Sequence, residues 1–342
     1  MLPKRKSDHI QITLKEDVQS CRPNGLDHFR LHHTALPEID LNSVDLSQTI
    51  FKKALKAPLL ISSMTGGTTE AERINRHLAE TAQHTGIAMG LGSQRTMIEH
   101  PELAHTYQIR KFAPDIPLFA NIGAVQLNYG ISVSDCQQIV DTVEADALIL
   151  HFNPLQEAVQ PEGDTNFADL LPKIEKLCQS LSVPVIAKEV GSGIDWVTAK
   201  RLINAGIQAI DIAGTGGTSW ALVEMYRQKY PSRQHIPAAF ANWGLPTAEC
   251  LLDLRNQLPA DFPIFASGGL RDGVDAVKCL ALGANLIGMT TPFLKAAVKS
   301  TEDCIQVTQE IIETMKIAAF LTGSKTIQEL QTPGTITRTI ET

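Results

Sequence analysis

Ala147-Leu-Ile-Leu-His151-Phe-Asn153-Pro-Leu-Gln156-Glu157 is the stretch on which the fold turns. Its first four residues are apolar without a break, which suits a strand covered on both faces, as strands in a parallel sheet are. His151, Asn153, Gln156 and Glu157 follow at once. A buried parallel strand that ends in polar side chains reads as one whose C-terminal end opens on a pocket.

Similar apolar runs lie at 58–65, 88–94, 118–124, 147–153, 184–190, 209–214, 263–269 and 285–291. Segments with helical spacing separate most of them, at 70–85, 133–144, 167–181, 195–205, 247–257 and 272–282. Strand–helix alternation implies right-handed βαβ units, and eight of them in about 250 residues is the size at which a parallel sheet closes. The expected fold is therefore α/β, a (β/α)8 TIM barrel over residues 58–342. An open doubly wound sheet is disfavoured, because neither Gly90-Leu-Gly92 nor Gly214-Thr-Gly216-Gly217 completes G-x-G-x-x-G. Residues 1–57 form an N-terminal extension expected to pack on or cap the barrel within a single domain overall. The segment 219–245 is a second candidate lid, and 301–321 reads as a closing helix.

A chain of 342 residues with 43% hydrophobic and 20% charged residues has ample core for one large barrel. The formal net charge of -7, with no basic run, argues against a nucleic-acid surface. The six cysteines are scattered, so neither a zinc site nor a disulfide framework is indicated, and reduced thiols in a cytoplasm are expected. The N-terminal charges Lys4, Arg5, Lys6 and Asp8 have no apolar stretch behind them, unlike a secretory signal. The longest charge-free stretch, 116–134, is broken by Pro117, Asn121, Gly123, Asn128 and Gly130, so no membrane span is expected.

Polar residues gather at the strand ends, where barrel enzymes place their chemistry. Strand one ends Ser62-Ser63-Met64-Thr65-Gly66-Gly67, strand two Ser93-Gln94-Arg95, strand three Asn121-Ile-Gly123 and strand five Lys188-Glu189. The last three carry Gly214-Thr-Gly-Gly-Thr218, Ser267-Gly268-Gly269 and Gly288-Met289-Thr290. Glycines let backbone N–H groups approach an anion, and successive Gly-plus-hydroxyl strand ends suggest a phosphate cradle; tight βα turns are the plainer alternative. Lys188 needs an anionic partner if buried, either a negatively charged cofactor ring or an acid such as Glu189 or Asp211. Arg95, and Arg5-Lys6 if they are more than a solvated tail, suit a diphosphate. Glu157 is the only acid in its heptapeptide, and one carboxylate plus phosphate oxygens is a common way to hold Mg2+. His151, Asn153 and Gln156 can orient a ligand, and His151 can move protons; capping of the strand end is the alternative.

Taken together, Arg5-Lys6-Ser-Asp-His9, Ser63-Met64-Thr65-Gly66-Gly67, Gly92-Ser93-Gln94-Arg95, His151-Phe-Asn153-Pro-Leu-Gln156-Glu157, Ala187-Lys188-Glu189-Val190-Gly191 and Gly214-Thr-Gly-Gly-Thr218 resemble the type 2 isopentenyl-diphosphate isomerase family over nearly the whole chain. The resemblance implies a cytoplasmic homotetramer or homo-octamer that converts isopentenyl diphosphate to dimethylallyl diphosphate. It also implies reduced FMN, NADPH to prepare it, and Mg2+. By position, FMN would meet Ser62, Ser63, Met64, Thr65, Ser93, Asn121, Lys188, Thr218, Gly268, Gly269, Met289 and Thr290. The diphosphate would meet Arg5, Lys6, Ser93, Gln94, Arg95, His151, Asn153 and Gln156, with Glu157 on the metal. Gln156 and His151 are the candidate catalytic side chains, Gln156 positioning substrate or relaying a proton. Many family members carry a small hydroxyl residue where this chain has Ala213, which removes one possible hydrogen bond to the cofactor phosphate.

Two rivals stand beside this reading. A redox FMN barrel, of the 2-hydroxy acid oxidase or dehydrogenase or nucleotide reductase type, would use a His–Asp or Cys device near the flavin, and no cysteine here falls at a strand end. A non-catalytic phosphate-binding barrel would not call for so many polar strand ends.

Overall fold

The computed structural model describes residues 2–339, with side chains from residue 5 onward. Eight strands form the barrel: β1 (Leu59–Ile61), β2 (Ala88–Gly90), β3 (Leu118–Gly123), β4 (Ala147–Phe152), β5 (Val185–Glu189), β6 (Ala209–Asp211), β7 (Ile264–Ser267) and β8 (Leu286–Met289). They pair in parallel and in chain order, and β8 pairs back onto β1 to close the ring. The strands are shorter than their apolar runs because the last residues of each run leave the ladder to build loops. Side chains cap several of the intervening helices: Thr68 accepts from Ala71 N before helix Thr69–Thr85, and Ser132 and Asp135 form a capping box before Val133–Val143.

The interior has two layers, and strand periodicity produces both. Leu60, Ala88, Phe119, Ile149, Ile186, Ala209, Phe265 and Leu286 belong to one buried apolar cluster. Successive side chains alternate faces, so the residue two further on points the same way but nearer the C-terminal mouth. That step gives Ser62, Gly90, Asn121, His151, Lys188, Asp211, Ser267 and Gly288. An apolar plug therefore supports a ring of polar and small residues.

The extension reaches both ends of the barrel. Strands Gln48–Ile50 and Lys53–Leu55 form an antiparallel hairpin whose turn residues Phe51 and Lys52 take φ of 47° and 67°. Phe51 packs edge-on against Phe119 and Phe265, closing the N-terminal end. At the mouth, helix Leu2–Lys15 packs against helix Trp220–Arg227, which lies in the 219–245 segment and also covers helix Pro154–Val159. Strand Phe29–Leu31 pairs antiparallel with Ile336–Arg338, so residues near the two ends of the described chain share a sheet. Among the described residues no helix is long and apolar enough to cross a membrane, and all six cysteines are unpaired.

Candidate active site

A cavity of about 690 Å³ occupies the C-terminal mouth of the barrel. Asn121, His151, Lys188, Ser267 and Gly288 of the polar ring line its floor. Asn121 Nδ2 donates to Ser63 Oγ (2.9 Å), which turns Asn121 Oδ1 toward His151 Nδ1 at 2.8 Å. The oxygen must accept, so Nδ1 carries the proton and Nε2 is left as a lone-pair acceptor. Next to them Lys188 Nζ donates to Asp211 Oδ2 (2.8 Å) and Ser267 Oγ (3.1 Å). Of the two acids weighed for Lys188, Asp211 on the adjacent strand holds it.

Burial, reinforced by Lys188, Arg5 and Lys6, pushes His151 down to about 4. Between pH 6.5 and 4 the unfolded imidazole binds a proton and the folded one does not. Its contribution to stability is thus complete above pH 6.5 and is lost as the pH falls through about 4. In an NMR titration the His151 ring should stay neutral down to about pH 4; a midpoint at its ordinary value would overturn the assignment of Nε2 as an acceptor at neutral pH.

One end of the cavity is backbone. The loops after β6 and β7 are packed glycine on glycine: a Cβ on Gly268 would lie 2.1 Å from Gly214 O, and one on Gly269 would lie 2.3 Å from Gly216 C. Gly217 O accepts from Ser20 N, Gly269 O from Asn24 Nδ2, and Gly268 O from Thr247 Oγ1. A trans peptide points its N–H opposite to its C=O. With these carbonyls turned into the protein, the N–H groups of Thr218, Gly269 and Leu270, all at the cavity wall, point the other way. Elsewhere in the cavity wall, against Gly92, Thr65 Oγ1 is buried without a partner. Ala213 lies in this wall in a left-handed conformation, φ 37°.

The other end is cationic. Arg95 is held by Glu99 (2.6 Å) and Asp164 (2.5 Å). Lys6 Nζ donates to Ser93 O (2.6 Å) and Tyr107 Oη (2.5 Å), and burial together with Arg5 pushes its pKa down to about 7. Arg5 makes no ion pair among the described residues, and its Nε is buried without an acceptor. Burial lowers its pKa, while Glu157 acts to raise it. An unpaired, half-buried guanidinium facing a cavity calls for an anion.

Glu224 ties this end together. It is fully buried; Oε1 meets His9 Nε2 (3.0 Å) and accepts from Gln156 Nε2 (3.2 Å), and Oε2 accepts from Arg227 (2.5 Å). Burial alone would raise its pKa, but His9 and Arg227 outweigh that and hold it below the usual carboxylate range. His9 also packs edge-on against Trp220 at 5.1 Å. Glu157 is buried, accepting from Asn153 Nδ2 (2.9 Å), Asp164 N (2.7 Å) and Gln160 Nε2.

Most of the expected residues share this one cavity: Arg5, Lys6, Ser93, Arg95, His151, Asn153, Gln156 and Glu157 with Ser63, Met64, Thr65, Asn121, Lys188, Thr218, Gly268, Gly269, Met289 and Thr290. Ser62 and Gln94 do not line it. Ser62 points into the barrel toward Gly288, whose Cβ would fall 2.6 Å from Ser62 Oγ. Gln94 is fully buried, with Oε1 accepting from Asn121 N (2.9 Å), so it supports the floor from behind. Sequence reading named Asp211 only as one of two acids open to Lys188, and it missed Trp220, Glu224 and Arg227. Only the spacing of Glu224 and Arg227 on one helix face could have pointed to the latter pair, and it reads as an ordinary solvated i,i+3 pair.

The FMN-dependent dehydrogenase family model matches residues 141–337. Among solved structures, the chain is similar to a mandelate oxidase mutant with 2-hydroxy-phenylacetamide, at TM-score 0.66 and 15% identity over 99% of each chain. It is also similar to a flavocytochrome b2 mutant with pyruvate bound, at TM-score 0.67 and 15% identity over 98% of this chain and 85% of that one. These two share the fold. Among curated proteins, the isopentenyl-diphosphate delta-isomerase of Nostoc sp. (strain PCC 7120) is 53% identical over 335 residues, covering 98% of this chain and 95% of that one. That of Rickettsia peacockii (strain Rustic) is 50% identical over 326 residues, 95% of each. With two relatives at 50% identity or more across nearly its whole length, the chain belongs to the isopentenyl-diphosphate delta-isomerase family.

Proposed function

We propose that this chain carries out its family's reaction in the cavity at the barrel mouth, converting isopentenyl diphosphate to dimethylallyl diphosphate beside reduced FMN. The observation that carries the reading is one cavity with two anion-seeking ends, turned backbone N–H groups at one and the unpaired Arg5 at the other. A phosphorylated flavin fits the first end, where the loops approach so closely that a Cβ on Gly268 or Gly269 would force them apart, and Thr65 Oγ1 elsewhere in the cavity wall lacks a partner. Its holders would be Ser63, Met64, Thr65, Asn121, Lys188, Thr218, Gly268, Gly269, Met289 and Thr290. Bound and reduced, FMN supplies an electron-rich ring and an exchangeable N5 proton next to the alkene.

The chain's own residues then bind, orient and exclude water. Arg5, Lys6 and Arg95 neutralise the diphosphate, with Ser93, Asn153 and His151 Nε2 around it. Helix Leu2–Lys15 lies across the mouth and limits solvent at a site where a cationic transition state would otherwise be quenched. Gln156 accepts from Asn153 and donates to the buried Glu224 carboxylate, so it can hold the substrate or relay a proton between the substrate and Glu224. NADPH is the reductant in this reading, the setting is the cytoplasm, and the assembly is a homotetramer or homo-octamer.

Mg2+ would sit at Glu157. An ionised carboxylate has about four acceptor positions and three are used here, which leaves one for a cation completed by diphosphate oxygens. Glu157→Gln should raise the Mg2+ concentration needed for half-maximal rate by about tenfold, roughly 1.4 kcal/mol of metal binding. An unaltered metal titration would remove Glu157 as the ligand.

Anaerobic incubation in D2O with isopentenyl diphosphate, FMN, Mg2+ and a reductant, followed by NMR, tests the whole reading. Deuterated dimethylallyl diphosphate should form over many turnovers per reductant. NADPH consumed with every turnover would instead mark a redox enzyme.

A further inference from the structure

Lys188 and Asp211 are register partners on β5 and β6, and both stand in the polar ring. Their charges lie 2.8 Å apart. Ser267 Oγ bridges them, donating to Asp211 Oδ1 (2.5 Å) and accepting from Lys188 Nζ (3.1 Å). Lys188 lines the cavity; Asp211, at 0% exposure, lies beneath it. An anion this close to a cation in a buried setting cancels most of its field at longer range. The floor thus presents a dipole where a lone lysine would present a full positive charge.

We propose that Asp211 sets the charge state of the reduced cofactor by neutralising Lys188, so that the floor does not favour an anion. This rests on the placement of FMN at Lys188 given above. Two electrons with one proton leave the isoalloxazine ring with one negative charge; two electrons with two protons leave it neutral. A bare ammonium favours the first outcome and a neutralised pair the second. NADPH brings both electrons with one proton, and solvent supplies the other. The second proton goes to N1, and N5 carries its proton in both forms, so what the floor sets is the charge of the ring. Asp211 touches neither substrate nor cofactor and is a positioning residue.

The test is anaerobic titration of the full-length apoprotein with oxidised and with reduced FMN, together with the near-ultraviolet spectrum of the bound reduced form. Asp211→Asn keeps the shape and a hydrogen-bonding oxygen while removing the charge. It should tighten reduced FMN relative to oxidised FMN by about tenfold or more and give the anionic spectrum. Asp211→Ser, smaller and also neutral, should move both readouts the same way, which keeps the test available if the amide variant fails to fold. If neither neutral variant moves the ratio or the spectrum while Lys188→Gln does, Asp211 does not neutralise Lys188 and the inference falls, with the cofactor placement intact. If Lys188→Gln is silent as well, the placement of FMN at Lys188 falls with it.

Discussion

Gln156→Leu should lower kcat by roughly 100- to 10,000-fold, the range over which a positioned proton-handling group contributes. Leucine has nearly the volume of glutamine but deletes two links, the bond from Asn153 Nδ2 (3.1 Å) and the bond to Glu224 Oε1 (3.2 Å). Glu224 retains His9 and Arg227, so its buried carboxylate is not stranded and the helix Trp220–Arg227 stays in place. Gln156 belongs to the cationic end, away from the glycine loops, and FMN affinity should change by less than about threefold, under 1 kcal/mol. Steady-state isomerisation by NMR and a separate FMN titration measure the two quantities. Unchanged kcat would take Gln156 out of the chemistry, and a matching loss of FMN affinity would make it a structural residue.

Gly268→Ala should cost about 100-fold in FMN affinity while the barrel remains folded. Gly268 has φ 106°, where an L side chain is strained by about 1–3 kcal/mol. Its added Cβ would also meet Gly214 O at 2.1 Å, Gly214 N at 2.6 Å and Thr247 Oγ1 at 2.7 Å. Two of those are backbone, which has no rotamer to yield, so the two loops must separate. Separation turns the N–H groups of Gly269 and Leu270 off target, and a loss of about 2.7 kcal/mol is a hundredfold in affinity. Fluorescence-monitored FMN titration reads the loss, and circular dichroism reads the fold. Wild-type affinity would show that these loops are tight turns and nothing more.

The barrel was legible because parallel strands are buried on both faces, and such strands write themselves as unbroken apolar runs ended by polar residues. The contrast between Ala147–Leu150 and His151–Glu157 is that rule in one segment. The hairpin at 48–55 was not legible: its turn, Phe51-Lys52, takes a left-handed conformation without the Asn or Gly that usually announces one. Phe51 adopts it because its ring gains contact with Phe119 and Phe265, a tertiary reward that no local pattern displays.

At the site, strand ends were legible and helices were not. Ser63 and Ser93 line the cavity, whereas their neighbours Ser62 and Gln94 point beneath or behind it, because adjacent side chains at a strand end face different ways. Glu224 and Arg227 sit in a segment that reads as an insertion, and their burial depends on helix Leu2–Lys15 lying across them. The sequence offered Lys188 both Glu189 and Asp211, and choosing Asp211 needed the sheet register, which places residues on adjacent strands side by side.

The short sheet of Phe29–Leu31 with Ile336–Arg338 bears on the order in which the molecule is assembled. Contacts between segments so far apart in sequence form slowly, after local ones. On a growing chain the extension leaves the ribosome first, yet its strand waits for a partner that is made after all eight barrel strands. That short sheet, whose residues do not line the cavity, is therefore completed last, after all eight strands of the barrel have been made.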